Sequence, residues 1–248
     1  MKTDLILKEN ERIDDLQIRG LKIIQNPDLF CFGIDAVLLS YYARAAKGDK
    51  VMDLCCGNGA IPILMSAKTG AKSFTGLEIQ EESADLARRS VELNGLDDRI
   101  SIVQGDLKDA IDMFGGSSFD VLTVNPPYMT EHHGLVNPHE AKAIARHELL
   151  CSLEDVIAAS SGLLKPQGLF FMVHRPHRLV DVFVLMRHYG IEPKRIRMVH
   201  PYADKEPNMV LIEGARGGRP NLVTDPPLVV YKDKNVYTDE IYSIYSNA

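Results

Sequence analysis

The sequence predicts an α/β fold: a Rossmann-like, seven-stranded, mostly parallel sheet with helices on both faces and a short strand-containing N-terminal extension. Three observations carry that reading. Between Asp49 and Arg175, short apolar runs alternate with segments of helical periodicity. Glycine or proline stands at the element boundaries, as at Gly70, Gly95, Pro126 and Gly168. Acidic residues recur at the ends of successive apolar runs, at Asp53, Glu78 and Asp106. Strands alternating with helices imply a parallel sheet covered on both sides.

The alternation of Ile13, Leu16, Ile18, Leu21 and Ile23 suggests a short hairpin or edge strands. Asp35 to Ala43 has helical spacing, with Asp35 as the expected N-cap. Lys50 to Leu54 reads as the first core strand and Ala60 to Lys68 as its helix. Ser73 to Glu78 follows as a strand, then an amphipathic helix from Gln80 to Asn94 closed by Gly95. Ile100 to Val103 and Phe119 to Val124 are further strands, the second stopped by Pro126-Pro127. A helix from Leu153 to Leu164 leads to a strand from Leu169 to Val173. A helix from Leu179 to Tyr189 precedes two strands, Arg195 to Val199 and Asn208 to Glu213. The rest is expected as a loop with a short terminal strand or helix around Leu228 to Tyr231. These elements divide into an extension (1–47), a core (48–215) and a tail (216–248).

Composition removes several function classes. No window approaches the roughly 18 unbroken apolar residues of a membrane span, and the charged N-terminus is no secretory signal. Cys31, Cys55, Cys56 and Cys151 show neither zinc-site nor disulfide spacing, so no metal is expected and a reducing cytoplasm is the simplest location. The net charge of −6 argues against a general nucleic-acid binder. His174 to Arg219 nevertheless holds nine Lys/Arg against five Asp/Glu, a local +4 that suits a phosphate backbone.

Gly57 and Gly59 follow the first core strand in Asp53-Leu54-Cys55-Cys56-Gly57-Asn58-Gly59. Glycine there lets backbone approach a ligand. The spacing is not the G-x-G-x-x-G of dinucleotide binders, and an acid stands before the glycines. S-adenosylmethionine (SAM) carries an ammonium and a sulfonium and no pyrophosphate, so Asp53 makes electrostatic sense with it. Glu78, before Ile79, suits two ribose hydroxyls. Asp106, within Gly105-Asp106-Leu107, suits an adenine amino group. Ligands of such sheets bind at the carboxyl ends of the strands. An NAD-dependent reductase would use Glu78 similarly, but the glycine spacing disfavours it.

Asn125-Pro126-Pro127-Tyr128 follows the Phe119 to Val124 strand. The prolines hold this turn rigid. The Asn125 side-chain carbonyl and the Pro126 backbone carbonyl can each accept an N–H from a planar amine. Those bonds stabilise the charge that develops as nitrogen attacks a methyl carbon. Tyr128 offers a stacking face worth roughly 1–3 kcal/mol per base. His132 and His133 are read as loop residues.

With these motifs the chain resembles the class I SAM-dependent methyltransferases, specifically the small-methyltransferase group, over roughly Phe30 to Glu213. The resemblance implies that Phe32 and Asp35 cover the methionine end of SAM. It further implies that Cys55, Gly57, Asn58, Gly59, Ile79, Gly105, Leu107 and Asn125 line the cofactor. It departs at Cys55, where the group usually has glycine. The tetrapeptide is shared by enzymes acting on adenine N6, cytosine N4 and protein glutamine, and guanine-N2 enzymes of ribosomal RNA are relatives. Phe32 to Leu39, Ala145-Arg146-His147-Glu148 and Arg175-Pro176-His177-Arg178 look like the bacterial valine-tRNA adenine-N6 methyltransferases. Only about fifty, strand-like residues precede the glycine loop, whereas glutamine methyltransferases normally carry a helical N-terminal domain. The expectation is therefore adenine-N6 methylation of tRNA, with Arg175, Arg178, Lys194, Arg195 and Arg197 as a cationic rim for a flipped base. A SAM- and RNA-binding module without catalysis is the non-enzymatic alternative.

Overall fold

The computed structural model describes residues 7–29, 31–126 and 151–246. A hairpin of β1 (Arg12–Asp15) and β2 (Lys22–Gln25) precedes helix α1 (Ile34–Tyr42). The core then runs β3 (Lys50–Leu54), α2 (Ala60–Lys68), β4 (Ser73–Glu78), α3 (Glu81–Leu93), β5 (Ile100–Gln104), α4 (Ala110–Phe114) and β6 (Phe119–Val124). It continues with α5 (Leu153–Leu163), β7 (Leu164–His174), α6 (Leu179–His188), β8 (Ile191–His200) and β9 (Met209–Arg216). The C-terminal segment adds β10 (Val223–Thr224), β11 (Leu228–Val229), a hairpin of β12 (Tyr231–Asp233) and β13 (Val236–Tyr237), and α7 (Asp239–Ser246).

The main sheet has the order β10-β8-β9-β7-β6-β3-β4-β5, with β11 pairing beside β10 on β8. β3 to β7 pair in parallel, and β9 is antiparallel to both β7 and β8. The seven expected strands are present, and the two-residue strands β10 and β11 extend the β8 edge. The central strands are near-continuous apolar runs because both faces are covered. Val51 and Val121 join the core on the α1–α2 side; Met52, Leu54, Leu122 and Val124 join the core on the α5–α6 side. Each such side chain contributes roughly 1.5–3 kcal/mol by burial. Helix α5 starts where Ser152 and Asp155 form a reciprocal capping box, satisfying N–H groups that helices leave open.

The N-terminal hairpin is clamped to α3. The Ile24 N–H donates to Ser90 Oγ at 3.0 Å, and the Lys22 N–H donates to Asn94 Oδ1 at 2.9 Å. Arg89 donates to both carboxylate oxygens of Glu11 at 2.7 and 2.6 Å. Ile241 and Ile244 of α7 are buried in the same core as Leu16 and Ile18. Among the described residues no helix is long and apolar enough to cross a membrane.

Chain order reverses between β3 and β6: β3 is followed by β4 on one side, whereas β6 leads to β7 on the other. Loops leaving such a switch point diverge and open a crevice. The pairing of Leu54 with Val124 sets the glycine loop beside Asn125 at its mouth.

Candidate active site

The glycine loop is built from left-handed backbone. Cys55 has φ 57°, Gly57 54° and Gly59 83°. Glycine adopts such angles without cost, and other residues do so at about 1–3 kcal/mol. Cys55 therefore occupies a position whose geometry favours the usual glycine. At Gly59, which caps α2, a Cβ would lie 3.2 Å from the Ala87 Cβ, so glycine also permits close packing on α3.

Glu78 ends β4 and is buried. Its carboxylate accepts the Gly57 N–H and the Gln80 N–H, both at 2.9 Å, and so locks the loops after β3 and β4 together. Ile79 is half-buried beside it. The Gly105 N–H donates to the Glu78 carbonyl at 3.0 Å, and a Cβ at Gly105 would strike Met113. Asp106 caps the 3-10 turn Leu107–Asp109, accepting the Lys108 N–H at 2.9 Å, and Leu107 is buried.

Asp53 is 1% exposed. One carboxylate oxygen accepts from Thr123 Oγ1 at 2.6 Å; the other is buried with no partner among the described residues. Burial pushes the Asp53 pKa up to about 8; the bond from Thr123 opposes that shift and the negative Glu78 adds to it. Asn58 is buried too, and its Nδ2 also lacks a partner among the described residues. An unpartnered carboxyl oxygen near the end of β3 and an unpartnered amide nitrogen in the loop that follows it thus lie five residues apart. Buried polar groups without partners are rare and call for an explanation such as a ligand.

Asn125 follows β6, and Pro126 fixes its backbone because the residue before proline is confined to extended conformations. Its Nδ2 donates to Asp35 Oδ2 at 3.0 Å, across 90 residues of sequence. Asp35 is not the N-cap of α1 as the sequence suggests. Gly33 holds that position, and Asp35 lies in the first turn with its carboxylate drawn to Asn125 and to the Ala36 N–H. The Phe32 N–H donates to Gln25 Oε1 at 3.1 Å, and its half-buried ring lines a cavity of about 470 Å³ with Leu16 and Tyr245. A second cavity, about 240 Å³, opens beside Pro126 and is lined by Cys151, Leu153, Val156, His174 and Arg178. Burial, helped by the nearby positive charge of Arg178, holds the His174 pKa down to about 4. Pro127, Tyr128, His132, His133 and Ala145-Arg146-His147-Glu148 lie outside the described residues.

The expected cationic rim divides. Arg178 lines the cavity beside Pro126, and Arg175 follows β7 next to it, donating to the Asn208 carbonyl. Arg195 is instead turned inward, paired with Glu213 and Asp225 and lying 4.7 Å from the Tyr42 ring centroid. Arg197 pairs with Glu240 of α7, and Lys194 donates to the Arg219 carbonyl. Asp225 and Glu240, which pair with Arg195 and Arg197, lie beyond the 174–219 stretch, so its local count overstates the free charge. Thr123 and the Asp35–Asn125 bond carried no sequence signal, because each depends on strand register or helix docking.

The profile of the methyltransferase small domain matches residues 21–190. A protein of Porphyromonas gingivalis called tRNA1(Val) (adenine(37)-N6)-methyltransferase is 29% identical over 187 residues, 73% of this chain and 72% of that one. The crystal structure of a predicted O-methyltransferase from Agrobacterium tumefaciens superposes with a TM-score of 0.69 at 22% identity, covering 86% of this chain and 95% of that one. Geranyl diphosphate C-methyltransferase from Streptomyces coelicolor, crystallised with S-adenosyl-L-homocysteine, gives 0.56 at 16% identity over 74% and 80%. With its sheet order, its glycine loop at the switch point and a family match across most of its length, the chain belongs to the methyltransferase small domain family.

Proposed function

We propose that this protein is a SAM-dependent N-methyltransferase acting on the exocyclic N6 of an adenine in tRNA, the adenosine beside the anticodon of valine tRNA. The observation that carries the reading is the position of Asn125-Pro126 at the end of β6, directly beside the end of β3 and its glycine loop, where Asp53 and Asn58 each hold a buried polar atom without a partner among the described residues. The orphaned atoms fit the amino-acid end of SAM: Asp53 accepts from its ammonium and Asn58 donates to its carboxylate. Glu78 takes the ribose hydroxyls, Asp106 and the backbone at Leu107 the adenine, with Ile79 and Gly105 lining it. The name borne by the Porphyromonas gingivalis relative supports adenine N6 over a glutamine amide.

The bound cofactor supplies a methyl group made electrophilic by its sulfonium. The chain's own residues do the rest. The Asn125 Oδ1 and the Pro126 carbonyl accept the two N–H bonds of the target amine, which orients its nitrogen towards the methyl and stabilises the charge that develops there. Tyr128 stacks on the base. Arg175 and Arg178 meet flanking phosphates. The neutral imidazole of His174 adds no charge to the cavity that receives the base. Residues 48–215 form the catalytic core under this reading, 1–47 its cover and 216–248 a tail, and the cytoplasm is the implied compartment.

Incubation with labelled SAM and tRNA lacking the modification tests the assignment. Label recovered as N6-methyladenosine in valine tRNA is the expected result. Label only in release factor or only in ribosomal RNA overturns it.

A further inference from the structure

We propose that Cys55 and Cys151 form a redox switch: oxidation joins their sulfurs in a disulfide, and the joined protein binds its cofactor weakly. The inference rests on the cofactor reading of the glycine loop. Cys55 follows Leu54, the last residue of β3, and Cys151 stands just before Ser152, the N-cap of α5. Both pack, half-buried, against the core that holds Leu54, Val124 and Val156. There the Cys55 thiol donates a hydrogen bond to the Cys151 sulfur. Cys151 also lines the cavity beside Pro126, which gives a small oxidant a way in. The other cysteines are placed differently. Cys56 is buried with its thiol towards the Gly57 carbonyl, and the Cys31 thiol donates to the Asn26 carbonyl.

The backbone supplies a second, separate observation. Cys55 holds φ 57°, which costs a side chain about 1–3 kcal/mol and costs glycine nothing. Strain of that kind is kept where the side chain is used. Here the side chain is a thiol set against another thiol.

The pair is polarised for reaction. The thiolate is the nucleophile in thiol chemistry, and a helix N-terminus favours it. The bond from Cys55 holds the Cys151 pKa below the ordinary thiol value; Lys108 helps, while burial, Asp155 and Asp106 oppose. The same bond, together with burial, raises the pKa of Cys55. Cys151 is therefore the attacking sulfur and Cys55 the resolving one. With hydrogen peroxide as oxidant, the Cys151 thiolate attacks one oxygen and the O–O bond breaks. Cys151 becomes a sulfenic acid, and the hydroxide released recovers the proton that the Cys151 thiol had lost. The Cys55 sulfur then attacks the sulfenic sulfur, and its proton leaves with the second hydroxide as water. Two thiols are oxidised to one disulfide while one peroxide is reduced to two waters. A small dithiol reverses the step by exchange and leaves as its own disulfide.

Forming the bond draws Cys55 towards the start of α5 and pulls on the glycine loop. Gly57 donates its N–H to Glu78 at 2.9 Å, and Asn58 carries the amide assigned to the cofactor carboxylate. Shifting the loop disturbs both.

The full-length protein is treated with a slight excess of hydrogen peroxide, digested without reductant and mapped by mass spectrometry. SAM affinity is read by calorimetry before treatment, after it, and after dithiothreitol. One peptide pair joined through Cys55 and Cys151 is expected. The SAM Kd should rise about 10–100-fold, as for loss of one or two hydrogen bonds to a charged ligand, and return with dithiothreitol. Cys151→Ala should give no joined peptide and the same SAM Kd before and after treatment, whatever its starting value. Cys55→Gly should instead accumulate a sulfenic acid at Cys151, trapped by dimedone. Absence of the Cys55–Cys151 peptide from treated wild type, an unchanged Kd in the joined protein, or a Cys151→Ala Kd that rises as the wild type's does overturns the proposal. If Cys151→Ala does not fold, Cys151→Ser takes its place. Reduced wild type that binds no SAM refutes the cofactor reading instead, and the peptide map still decides whether the two sulfurs join.

Discussion

Replacing Asp53 by Asn separates what stabilises the fold from what the site uses. Burial penalises the charge of the Asp53 carboxyl and lifts its pKa from the ordinary 3.8 of an aspartate to about 8. The unfolded chain ionises it from about pH 4, whereas the folded chain holds its proton until about pH 8. Over that window the unfolded state has released a proton that the folded state retains, so stability falls as pH rises. At about 1.36 kcal/mol per pKa unit, the deficit reaches about 4 kcal/mol by pH 7. Asn keeps the bond from Thr123 and carries no charge, which removes the deficit. Its Nδ2 remains buried and unpaired, which costs roughly 1–3 kcal/mol. The net expectation at pH 7 is stabilisation of about 1–3 kcal/mol, or a rise in Tm on the order of 5 °C. Thermal melts of both proteins from pH 4.5 to 8 provide the assay. The gap should widen with pH and level off above about 8. With SAM present the order should reverse, because the ammonium draws Asp53 into its ionised form in the wild type and finds no anion in the variant. A variant that melts at or below the wild type at pH 8, or a gap independent of pH, refutes the reasoning.

Further outcomes follow from other contacts. Asn125→Ala should lower kcat/KM by about 10²–10³ with SAM affinity nearly unchanged by calorimetry. His174, with its pKa near 4 through burial, should remain a neutral imidazole at pH 5.5 by NMR. Its unfolded form takes up a proton near pH 6.5 that the folded form refuses, so stability from this group is lost as pH falls from about 6.5 towards 4. His174→Gln should flatten that limb in urea titrations. Cys55→Gly should keep or raise the Tm, since φ 57° suits glycine, whereas Cys55→Val should lower stability by about 1–3 kcal/mol. Glu78→Ala frees the Gly57 and Gln80 N–H groups and should cost about 2–4 kcal/mol in denaturant melts as well as weakening SAM binding.

The sequence by itself determined the strands, their order of alternation with helices, the glycine loop and the acids at the strand ends. These follow from local chemistry: apolar runs bury, prolines stop ladders, and glycine relieves left-handed turns. It also located Asn125-Pro126 at a strand end. The boundaries it missed are telling. β7 begins at Leu164 rather than Leu169 because Leu164 pairs with Phe119 across a bulge, and the two-residue strands β10 and β11 form against the β8 edge. The tertiary structure alone decided what those side chains face. Strand register set Thr123 against Asp53, docking of α1 brought Asp35 to Asn125, and the fold placed Asp225 and Glu240 against arginines that a local charge count leaves free. Partnership between residues far apart in the chain depends on how elements pack, and composition and spacing carry no record of that.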